Sequence, residues 1–507
     1  MNRLRAAIPW LPVLTAAAFV TTVAVKFPDI VRSLNWDSDA SSSFVLAERL
    51  RGDGPVYIPH FGFWTSLWWL LATRHLPSHR HLWEGTGYAF ALAGAGLVGW
   101  ATARVAGRWA GVTAGATALV VGPVALRQLL TVNFHVSTPF TAAVLAAYLV
   151  LLPQRRSRML ALAAAVGLFA GLNAASDPLL WVAGIAPFAI ASTVLTGATR
   201  RRDLAVRSGI TLAVAVASAI ATSALMQRLG FHLVGREFRL AHVGDVPGHV
   251  LDLGRIVALL GGANYALPGG YPREPLRILL ALLVCAALAA TLVLAVKRIA
   301  RRSDPVACAY ACYWAAATII LGIGFVVTTQ PAAQGAGSVY YLPTLALAAG
   351  AGVGMLAAGS PRAQIAVALA VAVAGGINIA SVAQGRASPA PGAIGAYKDP
   401  VMRLLEQKSV TRGYAGFWDA ASLTWQSGMR LLVAPVSRCG PKLCAYRFFT
   451  ISSWYDEHPG GSFLIVDPET GFVSEPPPLV KDAFESHRFG PLTVYLFDYD
   501  LARNISP

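Results

Sequence analysis

The sequence predicts a polytopic α-helical membrane protein. It has about eleven transmembrane helices, a cytoplasmic N-terminus and a small C-terminal α/β domain on the extracytoplasmic side. Three observations lead there. Of 507 residues, 55% are hydrophobic and 13% are charged, about half the ~25% charged of an average soluble protein. Eleven apolar runs have roughly the length that crosses a hydrocarbon core of ~30 Å. The basic clusters of a chain with net charge +16 fall in every second connection between those runs.

The runs are 8–26, 86–105, 109–126, 138–152, 159–174, 178–197, 208–227, 276–297, 306–328, 338–358 and 363–382. The two at 138–152 and 159–174 are short. Arg3 and Arg5 precede the first run, and Arg104 and Arg108 separate the second and third. Arg155, Arg156 and Arg158 follow the fourth; Arg200, Arg201, Arg202 and Arg207 follow the sixth. Lys297, Arg298, Arg301 and Arg302 follow the eighth, and Arg362 follows the tenth. The positive-inside rule places all these loops in the cytoplasm of a plasma-membrane protein. They carry 16 basic residues against two acids, Asp203 and Asp304. The outer segments of 1–384 hold 13 basic and 11 acidic residues, and 385–507 hold 12 of each. The positive charge therefore reports orientation, and no nucleic-acid partner follows from it.

A further run, 61–76, is expected at the outer interface. Crossing there would move Arg104 and Arg108 outside, and Trp64, Trp68 and Trp69 suit the headgroup level. The first run is too long for a cleaved signal peptide and lacks a small-residue cleavage site. Three outer regions are large enough to fold or bind: 27–85, 228–275 and the tail 385–507. Within the second, 245–260 suits an interfacial helix. The tail enters through a linker-like stretch, GRASPAPGAIG. Its pattern predicts helices at 400–408 and near 418–427, and strands at 430–436, 445–451, 462–467 and 492–498. Residues 1–384 thus form a membrane domain and 385–507 an outer domain. Cys439 and Cys444 lie in the outer domain and are expected to form a disulfide, since that compartment is oxidising. Cys285, Cys308 and Cys312 lie in spans as reduced packing residues.

Some signals carry packing rather than chemistry. Gly94, Gly96 and Gly99 match a dinucleotide-binding pattern, but they lie inside a span where no βαβ unit fits. With Gly107, Gly111 and Gly115 they read as close helix contacts. His75, His79 and His81 are interrupted by Pro77, and Cys308 with Cys312 lack further ligands. No metal ligand set stands out, and a divalent cation is left open.

Four signals carry chemistry. The first is Asn35-Trp36-Asp37-Ser38-Asp39, just outside the first span. Two carboxylates so close to the membrane carry a desolvation cost, which suits a general base with a neighbour that orients it. Asp39 is also placed to cap a helix through 40–51. The second is Asn173 to Pro178, with Asp177 in a short outer turn. The third is the outer turn Gln128–Ser137, with Asn133, His135 and nearby Arg127. The fourth is the loop 228–275 and its arginines, which suit a lipid phosphate.

Together these features resemble the GT-C membrane glycosyltransferases, in particular the protein-mannosyltransferase-like branch of bacteria. The carrying residues are Trp36-Asp37-Ser38-Asp39, Ser176-Asp177-Pro178 and Tyr340-Tyr341-Leu342-Pro343. An outer domain with Gly413-Tyr414-Ala415-Gly416-Phe417-Trp418-Asp419 resembles actinobacterial members. The resemblance implies a polyprenyl-phosphate-sugar donor and transfer with inversion at the outer leaflet. The acceptor is a glycan, a glycolipid or a protein. Asp37 or Asp39 would be the catalytic base. Asp177, His135, Asn133, His60, Tyr341, Arg239, Arg273 and Arg277 are candidate substrate-binding residues. Related sequences often carry an Arg just before the Tyr-Leu-Leu-Pro segment. Here that position is Val339 or Tyr340, so Arg239, Arg273 or Arg277 would meet the donor phosphate. Two other readings are a transporter or flippase of a lipid or glycan precursor, and a noncatalytic envelope-assembly subunit. Transporters usually hold ionisable residues near the midplane, whereas the acids here sit at the outer ends of the spans.

Overall fold

The computed structural model describes residues 10–59, 64–131, 135, 137–151, 155–234, 239–263, 274–301, 304–329, 342–387, 391–469 and 472–506, with backbone alone at 64–66, 274–277 and 391–396. In chain order, α1 (Leu11–Leu34) leads to the short elements α2 (Ser38–Arg49), β1 (Val56–Ile58) and α3 (Trp64–Thr73). Next come α4 (His79–Ala106), α5 (Arg108–Leu119), α6 (Pro123–Leu130), α7 (Ser137–Val150) and α8 (Arg156–Ser176). A π-helical turn at Trp181–Ile185 opens α9 (Ala186–Thr199), followed by α10 (Arg202–Arg228), β2 (Phe231–Leu233) and α11 (Val246–Gly261). The apolar part closes with α12 (Glu274–Ala300), α13 (Pro305–Val327), α14 (Thr344–Ala357) and α15 (Pro361–Ala383).

Eight of these segments are long and apolar enough to cross a membrane: α1, α4, α8, α9 with its π turn, α10, α12, α13 and α15. The predicted run 109–126 is not one straight helix. It is α5 and α6, bent by 86°. Pro123 has no N–H and disfavours helix at the residue before it. Gly122 there lies so close to Gly262 that a Cβ would collide, and its N–H donates to Leu260 O at 2.9 Å. The bend delivers α6, and with it Arg127, to the end of α1. The 61–76 run forms the ten-residue α3, too short to span.

The short helix α7 is supported at its C-terminal end from outside. Arg207 of α10 is fully buried and donates to Leu151 O at 2.6 Å and Tyr148 O at 3.1 Å. A cation there satisfies carbonyls that have no helical partner. Glycine stripes set the closest helix contacts. A Cβ on Gly111 would strike α4 at Ala103 and Gly99, and Gly99 in turn faces Gly111 and Gly115. The dinucleotide-like pattern is therefore packing surface. The first half of α13, Ala307 to Ala317, is buried all round, and its Tyr313 hydroxyl donates to Ala142 O at 2.8 Å. Cys308 and Cys312 are buried there, whereas Cys285 on α12 is exposed rather than packed.

The tail comprises α16 (Pro391–Gln407), β3 (Arg412–Ala415), α17 (Phe417–Gln426), β4 (Leu432–Cys439), β5 (Lys442–Ala445), β6 (Thr450–Ile451), β7 (Ser462–Val466), β8 (Glu485–Phe489), β9 (Leu492–Phe497) and β10 (Ile505–Ser506). Seven strands form one mixed sheet in the order β10-β5-β4-β3-β7-β9-β8. Parallel β4-β3-β7 form its centre, buried as parallel strands usually are. The helix expected at 400–408 begins earlier, at Pro391, so residues 391–395 of the linker-like stretch are helical. The strand expected at 445–451 is divided. Its start ends β5, and its end is β6, because Tyr446–Phe449 leave the sheet as an aromatic cluster around Phe417. Cys439 and Cys444 are joined by a disulfide across the β4–β5 turn, with Cα atoms 5.9 Å apart.

A second, three-stranded sheet has the order β2-β1-β6. β1 belongs to region 27–85, β2 to 228–275 and β6 to the tail. All three regions that the charge pattern places outside thus meet in one sheet.

Candidate active site

The turn that follows α1 is built by local capping. The Asp37 N–H donates to Leu34 O at 2.8 Å as α1 ends. Asp37 is extended (φ −95°, ψ 124°), and its carboxylate accepts from the Asp39 N–H at 2.9 Å. The cap of α2 is therefore Asp37, not Asp39. An Asp at this position satisfies an orphan N–H of the first turn. Asp39 falls inside that turn, where the helix dipole favours negative charge. α2 is polar in sequence yet buried along Ser41, Ser42 and Ser43. The hydroxyls of Ser41 and Ser42 satisfy themselves on the carbonyls of Asp37 and Ser38.

Three elements close around this turn. From α4, Glu84 accepts from Asn35 Nδ2 at 2.7 Å. From α6, Arg127 donates to Ser33 Oγ at 3.0 Å and Ala387 O at 3.2 Å. From the tail, the Ser422 N–H donates at 3.3 Å to Oγ of Ser38, the residue between Asp37 and Asp39 in sequence. Trp36 is buried in the tail's own core, against Val401, Leu405, Ala420 and Leu423. Behind it, Lys398 Nζ lies 2.8 Å from Asp419 Oδ1 and 3.1 Å from Ser422 Oγ, and both charged residues are buried.

The electrostatics separate the two carboxylates. Burial pushes both above the usual carboxylate range. For Asp37 the Asp39 N–H and the nearby Arg127 and Lys398 pull the other way. Asp39 has no such help: burial, then the Asp37 charge, push it up to about 8. Its half-buried carboxylate has no hydrogen bond or ion pair among the described residues. The turn therefore offers one engaged carboxylate near two cations, and a second, without such partners, that burial and the Asp37 charge push up to about 8. That is the range in which a general base is most effective.

The other expected site residues are distributed differently. Asp177 is 1% exposed. Its carboxylate lies 3.0 Å from His135 Nδ1 and accepts from Thr138 Oγ1 and from the Leu179 N–H. Asp177 and His135 thus belong to one cluster. Replacing Asp177 with Ala strands buried donors, at about 1–3 kcal/mol for each. We expect a clear fall in melting temperature; a change in KM with unchanged melting would instead favour a substrate contact. Arg239 is exposed, and its carbonyl accepts from the Thr329 N–H at 3.0 Å. His60, Asn133, Tyr341 and Arg273, and the Arg277 side chain, lie outside the described residues.

Nearby imidazoles pair singly with carboxylates: His79 Nε2 is 2.6 Å from Glu48, and His81 Nδ1 is 3.4 Å from Glu84. Among the described residues no three His, Cys, Asp or Glu gather as a metal site. Sequence reasoning missed Lys398. The signal was present: Lys398, Val401 and Leu405 share one helix face, so a charge falls on an apolar stripe and calls for a buried partner.

No family model matches the chain, and no curated protein matches it. Its fold does match solved structures. ArnT from Cupriavidus metallidurans in the apo state superposes with a TM-score of 0.55 at 13% identity, covering 96% of this chain and 98% of ArnT. The Archaeoglobus fulgidus oligosaccharyltransferase in complex with Zn and sulfate gives 0.54 at 15% identity, covering 90% of this chain and 68% of that one. The same organism's AglB, with an inhibitory peptide and a dolichol-phosphate, gives 0.50 at 14% identity, with 92% and 72% covered. The chain shares the fold of these solved structures.

Proposed function

We propose that this chain is a membrane glycosyltransferase. It takes a hexosyl or pentosyl group from a polyprenyl-phosphate-linked donor and passes it, with inversion, to an envelope glycan, glycolipid or protein outside the plasma membrane. The observation that carries the reading is the open, half-buried carboxylate of Asp39, pushed up to about 8, at the outer end of α1. In the step, Asp39 takes the proton of the acceptor hydroxyl. The acceptor oxygen bonds to the anomeric carbon. The bond from that carbon to the phosphate oxygen breaks, and the lipid phosphate leaves with the electron pair.

The other groups follow from their places. Asp37 holds the turn through its cap. Arg127 supplies positive charge on the same side as a departing phosphate. Asp177 and His135 brace the neighbouring outer turn. The arginines 239, 273 and 277 remain the candidates for the donor phosphate, with His60, Asn133 and Tyr341 for the sugar. An apolar cavity of about 190 Å³ among α5, α11, α12, α14 and α15, bordered by Leu260, Leu280 and Val371, gives room for part of a prenyl chain. The fold shared with ArnT and with AglB, the latter solved with a dolichol-phosphate, supports a lipid-linked donor. The protein-mannosyltransferase-like, actinobacterial branch rests on the short motifs at 36–39, 176–178, 340–343 and 413–419.

The test uses purified protein, radiolabelled polyprenyl-phosphate hexoses and pentoses, and a native envelope extract. We expect label to move from one donor class into the extract. Absence of transfer from every such donor would overturn the reading.

A further inference from the structure

We propose that an open groove bordered by α1, α4 and α5 is a binding site for one anionic phospholipid, with an acyl chain along α5 and the phosphate at Arg104 and Arg108. The groove has a volume of about 440 Å³. It is lined by Ala16 of α1, Gly96 and Trp100 of α4, and Gly111 and Gly115 of α5, with Arg108 at one end. The lining runs from Leu92 to Ala103 on α4 and from Leu119 back to Arg108 on α5. At 1.5 Å per residue each stretch is about 16 Å long, the depth of one leaflet of a ~30 Å hydrocarbon core. Close packing does not account for all of the small residues. A Cβ on Gly99, Gly111 or Gly115 would press on the facing helix, but one on the exposed Gly96 meets nothing within 4 Å. No water is available at that depth to fill an open apolar channel, so its occupant is hydrocarbon.

The end at Arg108 has the chemistry that receives a headgroup. Arg104 follows Trp100 by one helical turn, and both Arg104 and Arg108 are exposed. Neither has a carboxylate partner among the described residues. Arg108 Cζ lies 5.7 Å from the Trp109 ring centre, and Trp109 meets Trp10 edge-on at 5.3 Å. Tryptophans beside arginines suit the headgroup level. Two cations without carboxylate partners at that level favour an anionic headgroup over a zwitterionic one. By the charge pattern this is the cytoplasmic leaflet. The far end of α1 carries the Asp37–Asp39 turn, so a lipid seated against α1 and α4 braces the helix that supports that turn.

The experiment uses the full chain in detergent with added phosphatidylglycerol or phosphatidylcholine, and counts retained lipid by native mass spectrometry. It compares wild type, Gly96→Leu, the double variant Arg104→Gln/Arg108→Gln, and Gly209→Leu. Gly96→Leu fills the groove without striking the protein, and Gly209→Leu adds the same side chain at another exposed, open position on α10. Wild type and Gly209→Leu are expected to retain one phosphatidylglycerol in preference to phosphatidylcholine, and Gly96→Leu none. The double arginine variant should bind phosphatidylglycerol about 30-fold more weakly, at about fivefold for each cation, a difference that shrinks in high salt. A second readout is melting temperature: phosphatidylglycerol should raise it for wild type and Gly209→Leu and leave Gly96→Leu unmoved. If Gly96→Leu fails to fold, the arginine variant decides the claim. Equal retention of the two lipids by wild type, or equal retention of phosphatidylglycerol by wild type and Gly96→Leu, would overturn the proposal, as would its loss from Gly209→Leu.

Discussion

Asp39→Asn is expected to lower sugar transfer by about 10²–10⁴-fold, the contribution of a positioned general base. Asn keeps the shape and cannot take the acceptor's proton. Stability should move the other way. The folded value of about 8 lies above the ordinary 3.8. The group's stabilising contribution is complete below about 3.8 and is lost as pH rises through about 8. The Asn variant suffers no such loss, so its melting temperature should overtake that of wild type in alkaline buffer. Asp37→Asn should behave otherwise. It weakens the α2 cap, at about 1 kcal/mol, and removes the like charge that raises Asp39, so residual activity should appear at lower pH. Equal activity of wild type and Asp39→Asn across the pH range would remove the base assignment.

Trp36→Ala is expected to be the most damaging single change to the architecture of the site. Trp36 is 7% exposed and lies among the tail's own core residues. Large aromatic-to-alanine changes in such positions cost about 3–5 kcal/mol. Here the cavity opens at the seam between the tail and the turn that carries both carboxylates. We expect a lower melting temperature, faster proteolysis within 385–507, and loss of transfer. Trp36→Phe should retain much of each. Normal melting and a protease-resistant tail in Trp36→Ala would show that the tail does not depend on this anchor.

The helical part of the fold was legible because its signals are long. An apolar run of about 20 residues needs no partner to be recognised. The bend at Gly122-Pro123 was less so. Proline is visible in the run, but the direction of α6 depends on the contact of Gly122 with Gly262, far along the chain. The β2-β1-β6 sheet was not legible either. Strands of two or three residues carry no periodicity, and their register is set by tertiary contact.

The same contrast holds at the site. Asp37 and Asp39 stood out because acids are scarce among apolar spans. Their division of labour did not, since it arises from one backbone N–H and from cations supplied by α6 and α16. Asp177 and His135 were each visible as polar groups in turns between apolar runs. Their mutual contact, across 42 residues, turns two expected ligand contacts into a buried cluster.

The pH dependence of transfer under saturating donor and acceptor tests the central claim most directly. The account predicts a rate that rises with pH, with an apparent midpoint near 8 that belongs to the Asp37–Asp39 pair, and an Asp39→Asn enzyme that lacks this rise. A wild-type profile that is flat from pH 6 to about 9 while the chemical step limits the rate, or a rise that survives in Asp39→Asn, would contradict it.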